Sequence, residues 1–108
     1  MKKFLVLYRS TMSLKGQMMK MTPAQMKASM DAWVGWAKKS GAALVDMGAP
    51  IGDSALLKGT AGQGHIGAYS IVQAESLDTA KRMFEAHPHF DAPGASIEIL
   101  ELLSKPGM

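Results

Sequence analysis

The chain has 108 residues, of which 47% are hydrophobic and 19% charged, and this size and composition suit one domain with a single core. It has no cysteine, which excludes a disulfide framework, a thiolate metal site and a thiol nucleophile, and which fits a cytoplasmic protein. The net charge of +3 comes from a basic N-terminal third. Because those lysines are scattered over several predicted elements and arginine is scarce, no nucleic-acid-binding face is expected.

The chain begins with a predicted strand at residues 3–9. Its alternation is unusual because both faces are apolar: Phe4, Val6 and Tyr8 lie on one face, and Leu5 and Leu7 on the other. This apolar run is too short for a signal peptide, and no later run approaches the length of a membrane span. Residues 10–21, rich in polar residues and methionine, are predicted to be a loop.

A helix is predicted to start at Thr22-Pro23. Thr22 is a suitable N-cap, Pro23 suits the first helical position, and Gln25 completes a capping box. Gly41 is well placed to end the helix. The side chains expected on its buried stripe are Met26, Met30, Trp33 and Ala37.

The remaining chain contains three further predicted strands and one helix. Ser76 is expected to cap the helix, Asp78 favours its first turn, and Pro88 is expected to stop it. The predicted strands are residues 42–47, with 54–58 as their continuation, residues 66–73, and residues 96–103; a glycine-rich hairpin tip at 59–64 joins the second strand to the third.

The element order is therefore β-α-β-β-α-β, which predicts an α+β, ferredoxin-like domain over residues 1–108. Right-handed crossovers place both helices on one face of a four-stranded antiparallel sheet. The first and last strands are nevertheless apolar on both faces, the last through residues such as Ile99 and Leu100. Since this chain has nothing left to cover the second face, we expect a homodimer.

Two segments of the chain resemble the YCII-related family, namely Ala32–Pro50 and the stretch from Gly67 through His87-Pro88-His89 to the final strand. The resemblance implies a dimeric α+β barrel fold and a dimer. Some relatives have a histidine on the first helix that is paired with an aspartate for acid/base chemistry. The corresponding region here, Met30–Trp33, contains no histidine, so that pair is not carried over.

The candidate catalytic residues are His87, His89 and Asp46. Two imidazoles near a helix end would be able to act as acid and base, although His87 would equally serve there to bind the last helix carbonyls. Asp46 is either a carboxylate in a pocket or an outward residue at the end of a strand. Alanine at His89 is expected to leave the melting temperature almost unchanged.

The candidate ligand-binding residues are Trp36, Tyr69 and Trp33, which would wall a pocket between sheet and helices. Core packing is the competing interpretation, particularly for Trp33. The two-residue spacing of the histidines is poor evidence for zinc, even if His65 or Asp91 converged on them, so neither a metal nor a cofactor is expected.

Two functional hypotheses follow. The first is a small homodimer that binds an organic ligand in a sheet–helix cleft, as an isomerase, a lyase or another cofactor-independent enzyme. The second is a non-catalytic module that presents its surface to another protein. The sequence names neither the reaction nor the ligand.

Overall fold

The computed structural model describes residues 1–62 and 64–104. Gln63, inside the predicted hairpin tip, lies outside the described residues. These described residues form four strands and three helices: β1 (Lys2–Ser10), α1 (Leu14–Lys20), α2 (Pro23–Ser40), β2 (Leu44–Asp46), β3 (His65–Ala74), α3 (Leu77–Arg82) and β4 (Ser96–Leu102). Short 3₁₀ helices follow α2, at Gly41–Ala43, and precede β4, at Pro88–Asp91.

The four strands form one antiparallel sheet in the order β2-β3-β1-β4. In the centre of the sheet, Val6 of β1 lies opposite Ser70 of β3 on one side and Ile99 of β4 on the other. This strand order, with crossovers through α2 and α3, is the ferredoxin-like arrangement. The predicted α+β fold class is confirmed.

The core lies between the helices and one face of the sheet. Its buried residues come from alternate positions of β1 and β3 and from the region of α3: Phe4, Val6, Tyr8, Val72, Ala74, Ala80 and Phe84. Trp33 and Trp36 of α2 pack against the same cluster. Both main helices therefore cover the same face, as the right-handed crossovers predict.

The opposite face of the sheet carries the intervening residues of the same strands. Its central side chains are Leu5, Leu7, Tyr69, Ile71, Leu100 and Leu102. The four from β1 and β3 are half-buried, whereas the two leucines of β4 are exposed. Neither α2 nor α3 packs on this face, because both lie on the other.

The structure corrects the prediction of a loop at residues 10–21, where α1 forms. Ser13 caps this helix by accepting a hydrogen bond from the backbone N–H of Gly16 at 3.1 Å. The methionine-rich composition that suggested a loop is in fact favourable for a helix, because unbranched side chains lose little rotamer freedom there. One glycine does not outweigh the cap and these residues.

Helix α2 begins and ends as predicted but packs differently. The Thr22–Gln25 capping box is present, and Gly41 is the C-cap. Met26 and Met30, expected on the buried stripe, are exposed, and no residue of α2 is fully buried. Only its C-terminal half lies against the sheet, so the expectation was wrong for the N-terminal half.

Two other boundaries also differ from the prediction. Strand β2 is only three residues long, and residues 54–58 form no strand; the contact with β3 is instead extended by a single bridge between Pro50 and Ala68. Helix α3 ends at Arg82, well before Pro88, and is followed by turns. Within the described part of the chain, no helix has the length and apolarity needed to span a bilayer.

Candidate functional site

The predicted histidine pair lies inside the molecule, not at an exposed helix end. His87 is 2% exposed and His89 is 8% exposed. Because α3 already ends at Arg82, His87 caps the following 3₁₀ helix instead, where its Nδ1 accepts a hydrogen bond from the backbone N–H of His89 at 2.9 Å. The interpretation of His87 as a C-terminal partner of the helix is therefore wrong.

Aromatic rings surround His87. Its ring centroid lies 4.5 Å from that of Trp33, 4.5 Å from Trp36, 5.0 Å from Tyr8 and 5.7 Å from Phe84. No described residue offers a hydrogen-bond partner to the buried Nε2 atom. Since Nδ1 is already an acceptor, the neutral ring carries its proton on Nε2. His87 thus presents one buried N–H donor to a cage of rings, which we call the aromatic cage: Tyr8, Trp33, Trp36 and Phe84.

The protonation state of His87 follows from this burial. Desolvation, together with the nearby imidazole of His89, lowers the pKa of His87 from 6.5 to about 4. At neutral pH the ring is therefore uncharged. It is a weak base and a hydrogen-bond donor, rather than the acid/base group poised near neutrality that the sequence suggested.

His89 has a structural role. Its Nε2 lies 2.7 Å from the carbonyl oxygen of Arg9 and 3.1 Å from that of Ser96, and because carbonyls only accept, Nε2 carries the proton. The imidazole ties the end of β1 to the start of β4. Contrary to the expectation from the sequence, alanine at this position should therefore cause a clear loss of stability.

Tyr8 completes the site, although it was not a sequence-based candidate. Its hydroxyl donates to Ser70 Oγ at 3.0 Å, and that hydroxyl donates to the carbonyl oxygen of Met47 at 2.8 Å. Burial raises the pKa of Tyr8 to about 12, partly offset by the bond to Ser70. The available signal was a tyrosine on the core-facing side of β1; in the sheet it lies directly opposite the small residue Ala68 of β3.

The other predicted site residues are divided by the fold. Trp33 and Trp36 both contact His87, and Trp36 is held by a 3.1 Å hydrogen bond from its Nε1 to the carbonyl oxygen of Met83. Asp46 is exposed at the end of β2, where its side chain accepts the N–H of Gly48. Tyr69 lies opposite Leu7 on the other face of the sheet, because Ser70 takes the core-facing position. Tyr69 and the tryptophans therefore do not share a pocket.

An open groove lies on the outer side of the aromatic cage, between α2 and the segment that follows α3. It has a volume of about 680 Å³, and its lining includes Trp36, Lys39, Arg82, Glu85 and Pro88. Trp36 lines the groove and also contacts His87, so its indole ring connects the groove with the aromatic cage.

This arrangement favours hydrogen-bond donation over proton abstraction. His87 offers an N–H, while the Tyr8 hydroxyl and the His89 N–H are already engaged with protein acceptors. A neutral imidazole can polarise a carbonyl oxygen without accepting a proton. Among residues 1–62 and 64–104 there is no group of three or more His, Cys, Asp or Glu side chains that would hold a metal ion.

Comparison with known proteins shows a likeness to solved structures but no family. No family model matches the chain, and no curated protein matches it. A solved structure of 5-chloro-2-hydroxyhydroquinone dehydrochlorinase (TftG) from Burkholderia phenoliruptrix AC1100, in complex with 2,5-dihydroxybenzoquinone, is similar over 89% of this chain and 90% of that one, with 19% identity and a TM-score of 0.48. A likeness of this size identifies neither a family nor an activity.

Proposed function

We propose that this protein is a YCII-related homodimer that binds a small organic ligand between its sheet and its helices. The observation that carries the proposal is the buried, unpartnered Nε2–H of His87. A buried polar group without a partner costs about 1–3 kcal/mol. A fold retains such a group more readily when a ligand satisfies it in the working state.

The chemistry that fits this group is electrophilic. A ligand carbonyl that accepts the His87 N–H becomes more acidic at its neighbouring carbon, which is what an isomerase or a lyase without a cofactor requires. The base for such a step is not His87, whose pKa lies at about 4. It would come from the ligand or from a group outside this cluster.

The proposed homodimer rests on the open face of the sheet. Its apolar centre is formed by Leu5 and Leu7 of β1 with their neighbours Ile71 and Leu100, and an ion pair at one end joins Arg9 to Glu98 at 3.0 Å. An apolar centre with a polar rim is the usual composition of a protein interface. A second copy presenting the same face would cover it.

A thermal-shift screen against small carbonyl compounds and aromatic acids tests ligand binding. We expect at least one compound to raise the melting temperature of the wild-type protein, because binding only to the folded state stabilises it. His87→Asn is the informative variant, since its side-chain oxygen can replace Nδ1 as the acceptor, while its amide N–H₂ lies one bond nearer the backbone than the lost Nε2–H. The shift should disappear in His87→Asn and persist in the matched surface control His65→Asn.

An equal shift in His87→Asn and wild type would place the ligand elsewhere and remove the basis of the proposal. The absence of any shift over the whole panel would favour the second candidate, a non-catalytic interaction module. One observation supports that alternative: Leu57 is 100% exposed in the segment between β2 and β3, and the adjacent Leu56 is also exposed. Exposed neighbouring leucines are typical of surfaces that contact another protein.

A further inference from the structure

The hydrogen-bonding capacity of His87 restricts what the site can recognise. Because the backbone N–H of His89 already binds Nδ1, the neutral imidazole has only the Nε2–H left to offer. Two other polar groups of the site are already engaged, because the Tyr8 hydroxyl donates to Ser70 and the His89 Nε2–H donates to backbone carbonyls. The complementary ligand atom is therefore a hydrogen-bond acceptor.

The walls of the site restrict the shape of the ligand. Three of the rings around His87 have centroids within 4.5–5.0 Å of its own. An aromatic ring that took the place of one of them would keep such contacts with the imidazole, whereas a bulky aliphatic group would lose them. The acceptor atom therefore belongs on an aromatic ring.

The groove restricts the outer end of the ligand. Lys39 and Arg82 line it, and neither forms a salt bridge with a described residue. Glu85 lies in the same groove, so its lining carries one net positive charge. The positions of both cations in the last turns of α2 and α3 are also favourable for those helices, so their presence alone does not require a ligand.

Taken together, the geometry points to an aromatic carbonyl compound with an anionic substituent. Its carbonyl oxygen would accept the His87 Nε2–H, its ring would occupy the position that the Trp36 indole now covers, and its anionic group would lie between Lys39 and Arg82. This inference rests on the proposed function and adds the chemical class of the ligand. It also makes Trp36 the side chain that such a ligand must displace, because this indole both lines the groove and contacts His87.

Three matched probes test the assignment by calorimetric titration. They are para-acetylbenzoate, which has the aromatic ring, the ketone carbonyl and the carboxylate; para-ethylbenzoate, which lacks the ketone carbonyl; and para-methylacetophenone, which lacks the carboxylate. We expect para-acetylbenzoate to bind the wild type about tenfold more tightly than either of the others, a difference of about 1.4 kcal/mol. The ethyl compound loses the hydrogen bond to His87, and the uncharged ketone loses the attraction to Lys39 and Arg82. In ¹⁵N NMR spectra, the chemical shift of His87 Nε2 should change only when one of the two ketones is added.

Variants separate the two contacts. His87→Asn should abolish the preference for para-acetylbenzoate over para-ethylbenzoate, and Arg82→Gln should weaken both carboxylates equally while sparing para-methylacetophenone. Trp36→Phe removes the hydrogen bond to Met83. In stopped-flow experiments this variant should bind para-acetylbenzoate with an association rate constant several-fold higher than that of wild type. His65→Asn should match wild type in every titration.

Equal affinity for the acetyl and ethyl compounds would overturn the acceptor assignment, and in that case the ring faces of the cage satisfy the His87 N–H. Failure of all three probes, with a hit of different chemistry in the thermal-shift screen, would overturn the ligand class but leave the proposed function standing. Failure of the probes and of the whole screen would overturn both.

Discussion

The protonation of His87 links the stability of this protein to pH. Its pKa is about 4 in the folded state and 6.5 when exposed in the unfolded chain, so between these values the unfolded state binds more protons. Stability should therefore fall as the pH falls from 6.5 to 4, and this residue contributes at most about 3 kcal/mol. Urea unfolding measured across that range tests the expectation.

The control for this pH dependence is His87→Asn, which does not titrate. Protonation of carboxylates in acid also destabilises the protein, so the useful quantity is the difference in unfolding free energy between wild type and His87→Asn at each pH. We expect the wild type to have the steeper decline. Parallel curves would mean that the buried ring does not shift its pKa on folding.

His89→Ala should destabilise the protein, contrary to the expectation from the sequence. The change removes the donor from two backbone carbonyls, at Arg9 and Ser96, whose hydrogen bonds are part-buried. Since a fully buried acceptor without a donor costs about 1–3 kcal/mol, we expect a loss toward the lower end of that range. His65→Ala, at an exposed position, should be nearly neutral. The free energy of unfolding in urea measures both, and equal values for the two variants would contradict the structural role of His89.

The sequence identified the histidines and both tryptophans as noteworthy but not how they are connected. The burial of His87 depends on α3 ending at Arg82, which lets the chain turn inward before Pro88. A sequence reading that extends the helix to the proline places the same residue at the surface. Tyr8 was missed because its partner Ser70 is 62 residues away.

At the scale of elements, Gly48 is the most demanding position. Its φ is +80°, and a Cβ added there would lie 1.7 Å from the carbonyl oxygen of Tyr69. Gly59 has a similar φ of +87° but nothing within 4 Å of an added Cβ. This pair separates the cost of backbone conformation from the cost of a steric clash.

We expect Gly59→Ala to cost about 1–2 kcal/mol, the typical penalty for an L-residue in the left-handed region. Gly48→Ala should cost clearly more, because the backbone of β3 must also move away from β2. Chemical denaturation of both variants measures the difference. Similar losses in the two variants would show that the backbone of β3 at Tyr69 can move away from residue 48 without a measurable loss of stability.

Elements with strong local signals were predictable and the others were not. The alternation in β1 and the capping box at Thr22 both correspond to what forms. Helix α1 was missed because its only strong signal is the Ser13 cap. The exposure of Met26 and Met30 depends on how far α2 extends beyond the sheet, a tertiary property that helical periodicity does not contain.

At the scale of the whole molecule, the single chain is larger than a compact domain of its length. Its radius of gyration is 14.9 Å, compared with about 13 Å for an ordinary domain of 100 residues. The N-terminal half of α2 and the segment between β2 and β3 both lie on the outside and contribute to this size. An extended chain with an uncovered apolar sheet face is consistent with the proposed dimer.

Leu5→Glu tests that dimer directly. The residue lies in the centre of the open face between Ile71 and Leu100, where a second copy would bury an unpaired carboxylate at a cost of several kcal/mol. We expect sedimentation to show a dimer for wild type and a monomer for the variant. Leu77→Glu, at an exposed position in the first turn of α3, is the control and should remain dimeric; a monomeric wild type would contradict the proposal.

The two apolar faces of β1 affect how faithfully the strand finds its pairing. In most antiparallel sheets a slip of one residue is strongly destabilising, because it exposes apolar side chains to solvent and buries polar ones. In β1 such a slip would exchange one apolar row for another, so this penalty is small. One contact that belongs to the native alignment is the hydrogen bond between the hydroxyls of Tyr8 and Ser70, which a slipped register would break. This hydrogen bond between two hydroxyls therefore favours the native register of the central strand over a slipped one.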